Sequence, residues 1–238
     1  MTTKPLPAPD PARYSAFVDH FFRYLPEEQA KAEWERDEFE RAFDVENAEL
    51  APLFVQLMRN SGADLAPFDD RAVGIGLEAL FSMSDCDYAY RLCHLPGSAG
   101  VPRRTGIEHQ CAAIASIGSL YSDCLAPRLD PNRAGAQKGT GRLGQYFTYM
   151  LWDASPLGYW DGNGPNDPRV AALLKMLGEA LEIPNAAIIR GVLHGLGHLG
   201  GEAASARQRI VRRFLDRDGD HLPKSLADYA RAAAEGRV

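Results

Sequence analysis

Two histidines four residues apart, His194 and His198, form the pair in this chain with the clearest capacity for chemistry. On a helix, positions i and i+4 lie one turn apart on the same face, so both imidazoles could bind one metal ion. Glu202 continues the same stripe. The spacing matches the two histidines of the H-E-x-x-H motif, but Gly195 stands where that motif has its general base. We therefore expect these histidines to have a structural or partner-facing role, with no metal or other cofactor.

Other catalytic and cofactor motifs are incomplete. The G-x-G-x-x-G pattern at 139–144 follows a loop containing proline and glycine instead of a strand, so it does not predict a dinucleotide site. Residues 216–220 begin like a calcium loop, but His221 replaces the turn glycine and Ala227 the bidentate glutamate. No serine lies in a G-x-S-x-G elbow, and the four cysteines form no C-x-x-C pair, which indicates reduced thiols.

Apolar residues recur at helical spacing along most of the chain, which predicts an all-α protein. Two early helical segments include Phe17 with Phe21 and Trp34 with Phe39. The remaining expected helices cover residues 45–59, 70–83, 85–94, 106–124, 142–153, 168–182, 185–200, 203–216 and 223–235. Residues 1–12 contain four prolines and are expected to form a flexible tail, followed by a single all-helical domain over residues 13–238.

A short pattern recurs along this helical chain. Residues 77–83, 114–120 and 193–199 share the order apolar, any, small, apolar, any, any, apolar, at offsets of 37 and 79 residues. A degraded copy falls at 147–150. A period near 40 residues is typical of two antiparallel helices with their turns. The pattern predicts a repeat protein, and a helical bundle without repeats is the alternative.

On these motifs the chain resembles HEAT-like repeat proteins over about residues 45–216. The stretches 149–153 and 193–199 are also similar to uncharacterised bacterial relatives of that class. The resemblance implies a HEAT-like or armadillo-type superhelix, a solenoid of helical hairpins. It does not extend to deoxyhypusine hydroxylase, a HEAT-like di-iron enzyme with repeated His-Glu pairs, because Gly195 follows His194 and the pair at Glu108 and His109 is reversed.

The segment around His194 predicts a polar working face. A helical wheel over 186–202 separates an apolar side, Ile189, Val192, Leu193, Leu196 and Leu199, from a polar side, Arg190, His194, His198 and Glu202. Gly191 and Gly195 lie in or beside the polar stripe and could allow close backbone approach. The alternative is that this side packs against an adjacent repeat.

The repeat alignment extends the working face to other helices. Equivalent positions on successive inner helices of a solenoid line up as a ladder on its concave surface. The ladder residues are expected to bind a ligand and are Glu78, Ser119, Asp123, Thr148, Trp152, His194, His198 and Glu202. Trp152 also belongs to an aromatic segment, 146–153, of a kind favoured at binding hot spots. Trp152 and His198 are expected to point away from the core.

Composition narrows the function classes. The 238 residues carry a net charge of −6, which argues against a nucleic-acid binder that works by neutralising phosphates. No apolar run is long enough for a membrane span and no leader is evident, so we expect a cytoplasmic protein. The leading hypothesis is a helical-repeat interaction protein that binds a peptide, protein or small ligand on its concave face. The alternative is a metal-dependent enzyme that uses His194 and His198, with Glu78, Asp123 or Glu202 as further ligands.

Overall fold

The computed structural model describes residues 6–28, 43–81, 88–93, 106–132, 143, 149, 151–156, 164 and 166–238. Within these ranges all regular structure is helical and no strand occurs, so the predicted all-α class is confirmed. The predicted helix around Trp34 and Phe39, the ladder residue Thr148 and most of the helix expected over 142–153 lie outside the described residues.

The helices follow the predicted order. The first is α1 (Pro11–Asp19), which continues through a π-helical turn (His20–Tyr24) into Leu25–Glu28. Those that follow are α2 (Asn47–Asp64), α3 (Asp70–Phe81), α4 (Tyr88–Cys93), α5 (Ile107–Ser119), α6 (Leu151–Ala154), α7 (Pro168–Ala180), α8 (Ala186–His198), α9 (Ala204–Asp218) and α10 (Lys224–Glu235). After α5 the chain stays helical through a π-helical segment (Leu120–Leu125) and a short turn (Ala126–Arg128).

The first helix begins inside the segment expected to be a tail. Asp10 caps it, because its carboxylate accepts a hydrogen bond from the Arg13 N–H at 2.9 Å. Pro11 occupies the first turn, where its missing N–H costs no helical hydrogen bond. The prolines of residues 1–12 therefore do not exclude a helix start at Pro11, two residues before the predicted boundary.

Two helices organise the packing. The α5 helix packs chiefly against α2 and α7, while α8 packs against α6, α7 and α10. Of the three copies of the recurring pattern, residues 77–81 of the first lie in α3, the second lies in α5 with its π-helical continuation, and the third lies in α8 with the residue after it; residues 82 and 83 lie outside the described residues. Within the described chain these helices are not one another's main packing partners. No helix in the described ranges combines the length and the apolar character needed to cross a bilayer.

Candidate functional site

The start of α8 is anchored by one buried side chain. The Asn185 amide oxygen accepts hydrogen bonds from the N–H groups of Ala187 and Ile188, which caps the helix. Its amide nitrogen donates to the carbonyls of Ala126 and Leu129, at the end of the helical segment that follows α5. Asn185 therefore fixes where α8 begins and how it meets the α5 segment.

The end of α8 is held by a buried arginine. Arg207 of α9 donates to the carbonyls of Leu199 at 2.6 Å and Gly197 at 3.5 Å, and to the carbonyl of Ala234 in α10 at 3.3 Å. Carbonyls at a helix C-terminus have no partner within the helix and favour a nearby cation. Arg207 thus joins the last turns of α8 and α10 and fixes the turn that carries His198.

A close contact between α6 and α8 brings a third element to the histidines. A Cβ built on Gly195 would lie only 2.5 Å from Cδ1 of Trp152, so no larger residue fits there without movement. The Trp152 indole N–H donates to the Tyr121 hydroxyl at 3.1 Å. Burial raises the pKa of Tyr121, which keeps its hydroxyl neutral. Gly195 does permit close approach, but the approaching group is the Trp152 side chain and not the backbone that the sequence predicted.

Asp153 follows Trp152 and meets both histidines. Its carboxylate oxygens lie 2.9 Å from Nε2 of His194 and 2.8 Å from Nε2 of His198. The two Nε2 atoms are 3.1 Å apart. The described part of the chain contains this one group of three or more side chains able to share a metal ion. The site therefore combines two imidazoles from α8 with one carboxylate from α6.

The spacing of the three donor groups matches metal coordination. Donors about 2.1 Å from an ion and about 90° apart lie roughly 3.0 Å from one another, whereas tetrahedral donors lie roughly 3.4 Å apart. The two Nε2 atoms are 3.1 Å apart, and each lies 2.8 or 2.9 Å from a different oxygen of Asp153, distances closer to the first value. Two histidines and one carboxylate on one face of an octahedron are a known arrangement for divalent transition metals.

Protons alone satisfy this cluster poorly. A proton on each Nε2 gives Asp153 two donors, but it brings two N–H groups together with their nitrogens 3.1 Å apart. Removing either proton lets that nitrogen accept the other N–H, but its lone pair then also faces a carboxylate oxygen at 2.8 or 2.9 Å. A cation between His194, His198 and Asp153 accepts a lone pair from each group, so the donor set fits a metal ion.

His194 is further held by two tyrosines. Its Nδ1 lies 2.7 Å from the Tyr229 hydroxyl of α10, and its ring stacks on Tyr149 with 4.2 Å between ring centroids. The Tyr229 hydroxyl is also 3.5 Å from that of Tyr149. Burial, and then the contact with Tyr149, raise the pKa of Tyr229, which keeps the phenol neutral. The guanidinium of Arg190 lies over both tyrosine rings, at 5.3 Å from Tyr149 and 4.7 Å from Tyr229.

Comparison with known proteins adds no relative. No protein-family model, no curated protein and no solved structure gives a significant match to this chain. The function is therefore inferred from the geometry of the site.

Two predicted orientations of ladder residues are wrong. Trp152 is 3% exposed and His194 is 4% exposed, although both were expected on the face opposite the core. Both are covered because α8 is enclosed by several helices and only Arg190 and His198 escape burial along its length. The expected exposure of His198 is confirmed, since 45% of its side chain is accessible.

The other ladder residues do not join this cluster. Glu78 is half-buried in α3, and Ser119 is half-buried at the end of α5. Asp123 is exposed, accepts a hydrogen bond from the Ser122 hydroxyl at 2.6 Å and lies against Gly62 of α2. Glu202 is exposed and its carboxylate lies against Gly164.

Sequence reasoning missed the two residues that complete the site. The sequence places Asp153 at the end of an aromatic segment with no indication of a contact to the histidines, and no motif marks Tyr229. Asp153 is 41 residues from His194, and Tyr229 is 35 residues from it. In the sequence, Asp153 is marked only by its place directly after Trp152, at the end of the aromatic segment 146–153.

Proposed function

We propose that the protein is a metal-dependent enzyme that binds one divalent transition-metal ion through His194, His198 and Asp153. The observation that carries this proposal is the cluster of contacts, 2.8 to 3.1 Å, in which the two imidazole Nε2 atoms lie against each other and each lies against one oxygen of the Asp153 carboxylate. Imidazole and carboxylate donors together suit zinc, iron(II), manganese(II) and cobalt(II). The third donor comes from α6, so the cluster does not depend on a glutamate at position 195 of α8, whose absence argued against a metal in the sequence.

The degree of exposure supports a catalytic site over a structural one. Structural zinc sites are closed by four protein ligands, whereas catalytic sites keep a position for water or substrate. Here three side chains provide the donors, and His198 is exposed at the end of α8 while His194 is buried. Solvent therefore reaches the cluster from the His198 side.

Each protein group has a distinct part in this proposal. A divalent ion held in this way supplies Lewis acidity and activates water near neutral pH. Asp153 provides the one negative charge among the donors, so a loaded site keeps a net charge of about +1 and favours anionic ligands. His194 is fixed by Tyr149 and Tyr229, which limits its movement when substrate binds.

The test is metal binding by the purified protein after removal of metal with a chelator. Titration with zinc(II) or cobalt(II), followed by calorimetry and by the visible spectrum of cobalt, is expected to show one ion per chain. Asp153→Asn keeps the side-chain size but weakens the donor, and His198→Ala removes an exposed donor. Both variants are expected to lose binding, whereas His221→Ala, at an exposed histidine after α9, is the matched control and keeps it.

A second measurement tests whether the bound metal ion keeps a coordination position open to water or substrate. Azide added to the cobalt protein is expected to change the visible spectrum, because a small anion can enter a site to which the described residues supply three protein donors. Absence of stoichiometric binding by the unaltered protein contradicts the proposal. Full binding by Asp153→Asn would place the metal elsewhere, and a cobalt spectrum unaffected by azide would indicate a closed, structural site.

The finer architecture, a HEAT-like superhelix of helical hairpins, stays a prediction. Contacts between consecutive helices, α7 with α8 and α9 with α10, support the hairpin unit. The principal packing of α5 on α2 and α7 is not what the aligned pattern predicts. Binding of a peptide, protein or small ligand on a ladder also stays a prediction, and burial of Trp152 removes one residue that such a surface needs.

A further inference from the structure

Tyr229 is placed to control which nitrogen of His194 carries a proton. Its hydroxyl lies 2.7 Å from Nδ1, on the opposite side of the ring from the Nε2 atom that faces Asp153 and His198. A tyrosine hydroxyl can donate one hydrogen bond and also accept. It can therefore pair with Nδ1 whether or not that nitrogen is protonated.

The two states of the site need opposite hydrogen-bond directions. When Nε2 of His194 binds an ion, the proton of the neutral ring must be on Nδ1, which then donates to the Tyr229 oxygen. The hydroxyl hydrogen of Tyr229 is then free to point towards Tyr149, 3.5 Å away. Without an ion, Asp153 at 2.9 Å favours a proton on Nε2, and the Tyr229 O–H donates to Nδ1 instead.

We propose that Tyr229 is a positioning residue that selects the metal-binding tautomer of His194, by accepting a hydrogen bond from Nδ1–H in the loaded site. This proposal rests on the proposed metal-dependent function. The hydrogen bond reverses its direction when the ion binds, and the heavy atoms need not move. The C-terminal helix α10 is thereby part of the metal site, although it provides no donor to the ion.

The surroundings of Tyr229 suit this role. The Tyr229 hydroxyl lies within hydrogen-bond distance of both Nδ1 of His194 and the Tyr149 hydroxyl, and the guanidinium of Arg190 lies over its ring at 4.7 Å. Among the described residues, no carboxylate lies within ion-pair distance of Arg190, so its described contacts are with the two aromatic rings. Arg190 over the ring and the Tyr149 hydroxyl 3.5 Å from that of Tyr229 thus restrict the position of Tyr229 beside His194.

Removing the hydroxyl is expected to weaken metal binding. Tyr229→Phe keeps the ring but leaves the Nδ1–H of the loaded His194 without an acceptor. The bond is stronger in the loaded state, because the ion draws charge from the imidazole and makes Nδ1–H a better donor. We expect zinc affinity to fall by about 10- to 100-fold, the usual effect of changing an outer-shell partner.

The matched control is Tyr14→Phe. It also removes a half-buried hydroxyl, one that donates to Asp64 in α2 and does not contact the metal site. Competition with a chromophoric chelator measures the zinc dissociation constant of each variant, and thermal unfolding of the metal-free proteins shows whether either is destabilised. Tyr14→Phe is expected to bind zinc as the unaltered protein does, even if its melting temperature falls.

Nitrogen NMR of histidine-labelled protein provides a readout that a purely structural role would not change. In the zinc complex, His194 is expected to show a protonated Nδ1 and a zinc-bound Nε2; in the metal-free protein, Nδ1 is expected to lack its proton. Zinc on Nδ1 overturns the inference, and so does unchanged zinc affinity in Tyr229→Phe, while the proposed function stands in both cases. Failure of the unaltered protein to bind zinc, cobalt, manganese or iron(II) overturns both.

Discussion

Gly195→Ala is the substitution that most directly tests how the fold builds the site. The added Cβ would lie 2.5 Å from Cδ1, 2.6 Å from Cγ and 2.9 Å from Nε1 of Trp152. Carbon atoms in contact are about 3.5–4.0 Å apart, so the indole must move by about 1 Å. Asp153 follows Trp152 in the chain and is expected to move with it, away from His194 and His198.

Stability and metal affinity should respond differently to this change. Overpacking costs about 1–3 kcal/mol, but alanine is favoured over glycine inside a helix by about 0.8–1.0 kcal/mol. The free energy of unfolding of the metal-free protein is therefore expected to fall by only about 0–2 kcal/mol. Metal ligands tolerate only about 0.2 Å, so a shift of about 1 Å at Asp153 should reduce zinc affinity at least tenfold.

Gly178→Ala is the matched control, because Gly178 also lies within a helix, α7, and faces another helix. Its nearest neighbour would be Cγ2 of Ile210 in α9 at 3.6 Å, an ordinary van der Waals distance. It is expected to keep zinc affinity and to gain up to about 1 kcal/mol in stability. Urea unfolding of the metal-free proteins and chelator competition measure the two quantities separately. If Gly195→Ala binds zinc as tightly as Gly178→Ala does, contact with Trp152 does not position Asp153.

Three further changes test the elements around the site by urea unfolding of the metal-free protein. Trp152→Ala should cost about 3–5 kcal/mol, comparable to the roughly 2–5 kcal/mol expected for Leu196→Ala, and a near-zero cost would mean that Trp152 is not core. Tyr121→Phe should cost about 1–3 kcal/mol, because the buried indole N–H loses its acceptor; no change would show that another acceptor replaces it. Arg207→Met should cost at least about 1–3 kcal/mol by leaving the Leu199 carbonyl without a donor, and equal stability would refute its capping role.

The helices could be predicted from the sequence because their apolar periodicity and their caps are local. The pattern over 185–200 corresponds to Ala186–His198, since Asn185 caps the start and Arg207 holds the end. The helix predicted over 106–124 is too short at its C-terminal end. The chain continues through a π-helical segment to Arg128, and a period of 3.6 residues does not describe a π-helical turn.

The orientation of the site residues could not be predicted in the same way. A helical wheel separates the two sides of α8 correctly on its apolar side, where Val192 and Leu196 are buried. It assumes that the other side faces solvent or a ligand. Because α6 and α10 both pack on α8, the polar side is also largely enclosed, and His194 is buried with partners from both helices. The number of neighbouring helices is a property of tertiary packing, which the periodicity of one segment does not contain.

Gly195 has opposite implications in the sequence and in the structure. In the sequence it argues against a metal site, whereas in the structure it supports the proposed one. As a substitute for the glutamate of H-E-x-x-H, it removes a general base from α8. As a residue without a side chain, it lets Trp152 lie against the helix and brings the Asp153 carboxylate to both Nε2 atoms. A glutamate at 195 would have to displace the indole, since even a Cβ does not fit. The position of the α6 carboxylate beside the histidines and a large side chain at 195 therefore exclude each other, so the acidic group of the proposed site comes from α6 and depends on glycine at 195.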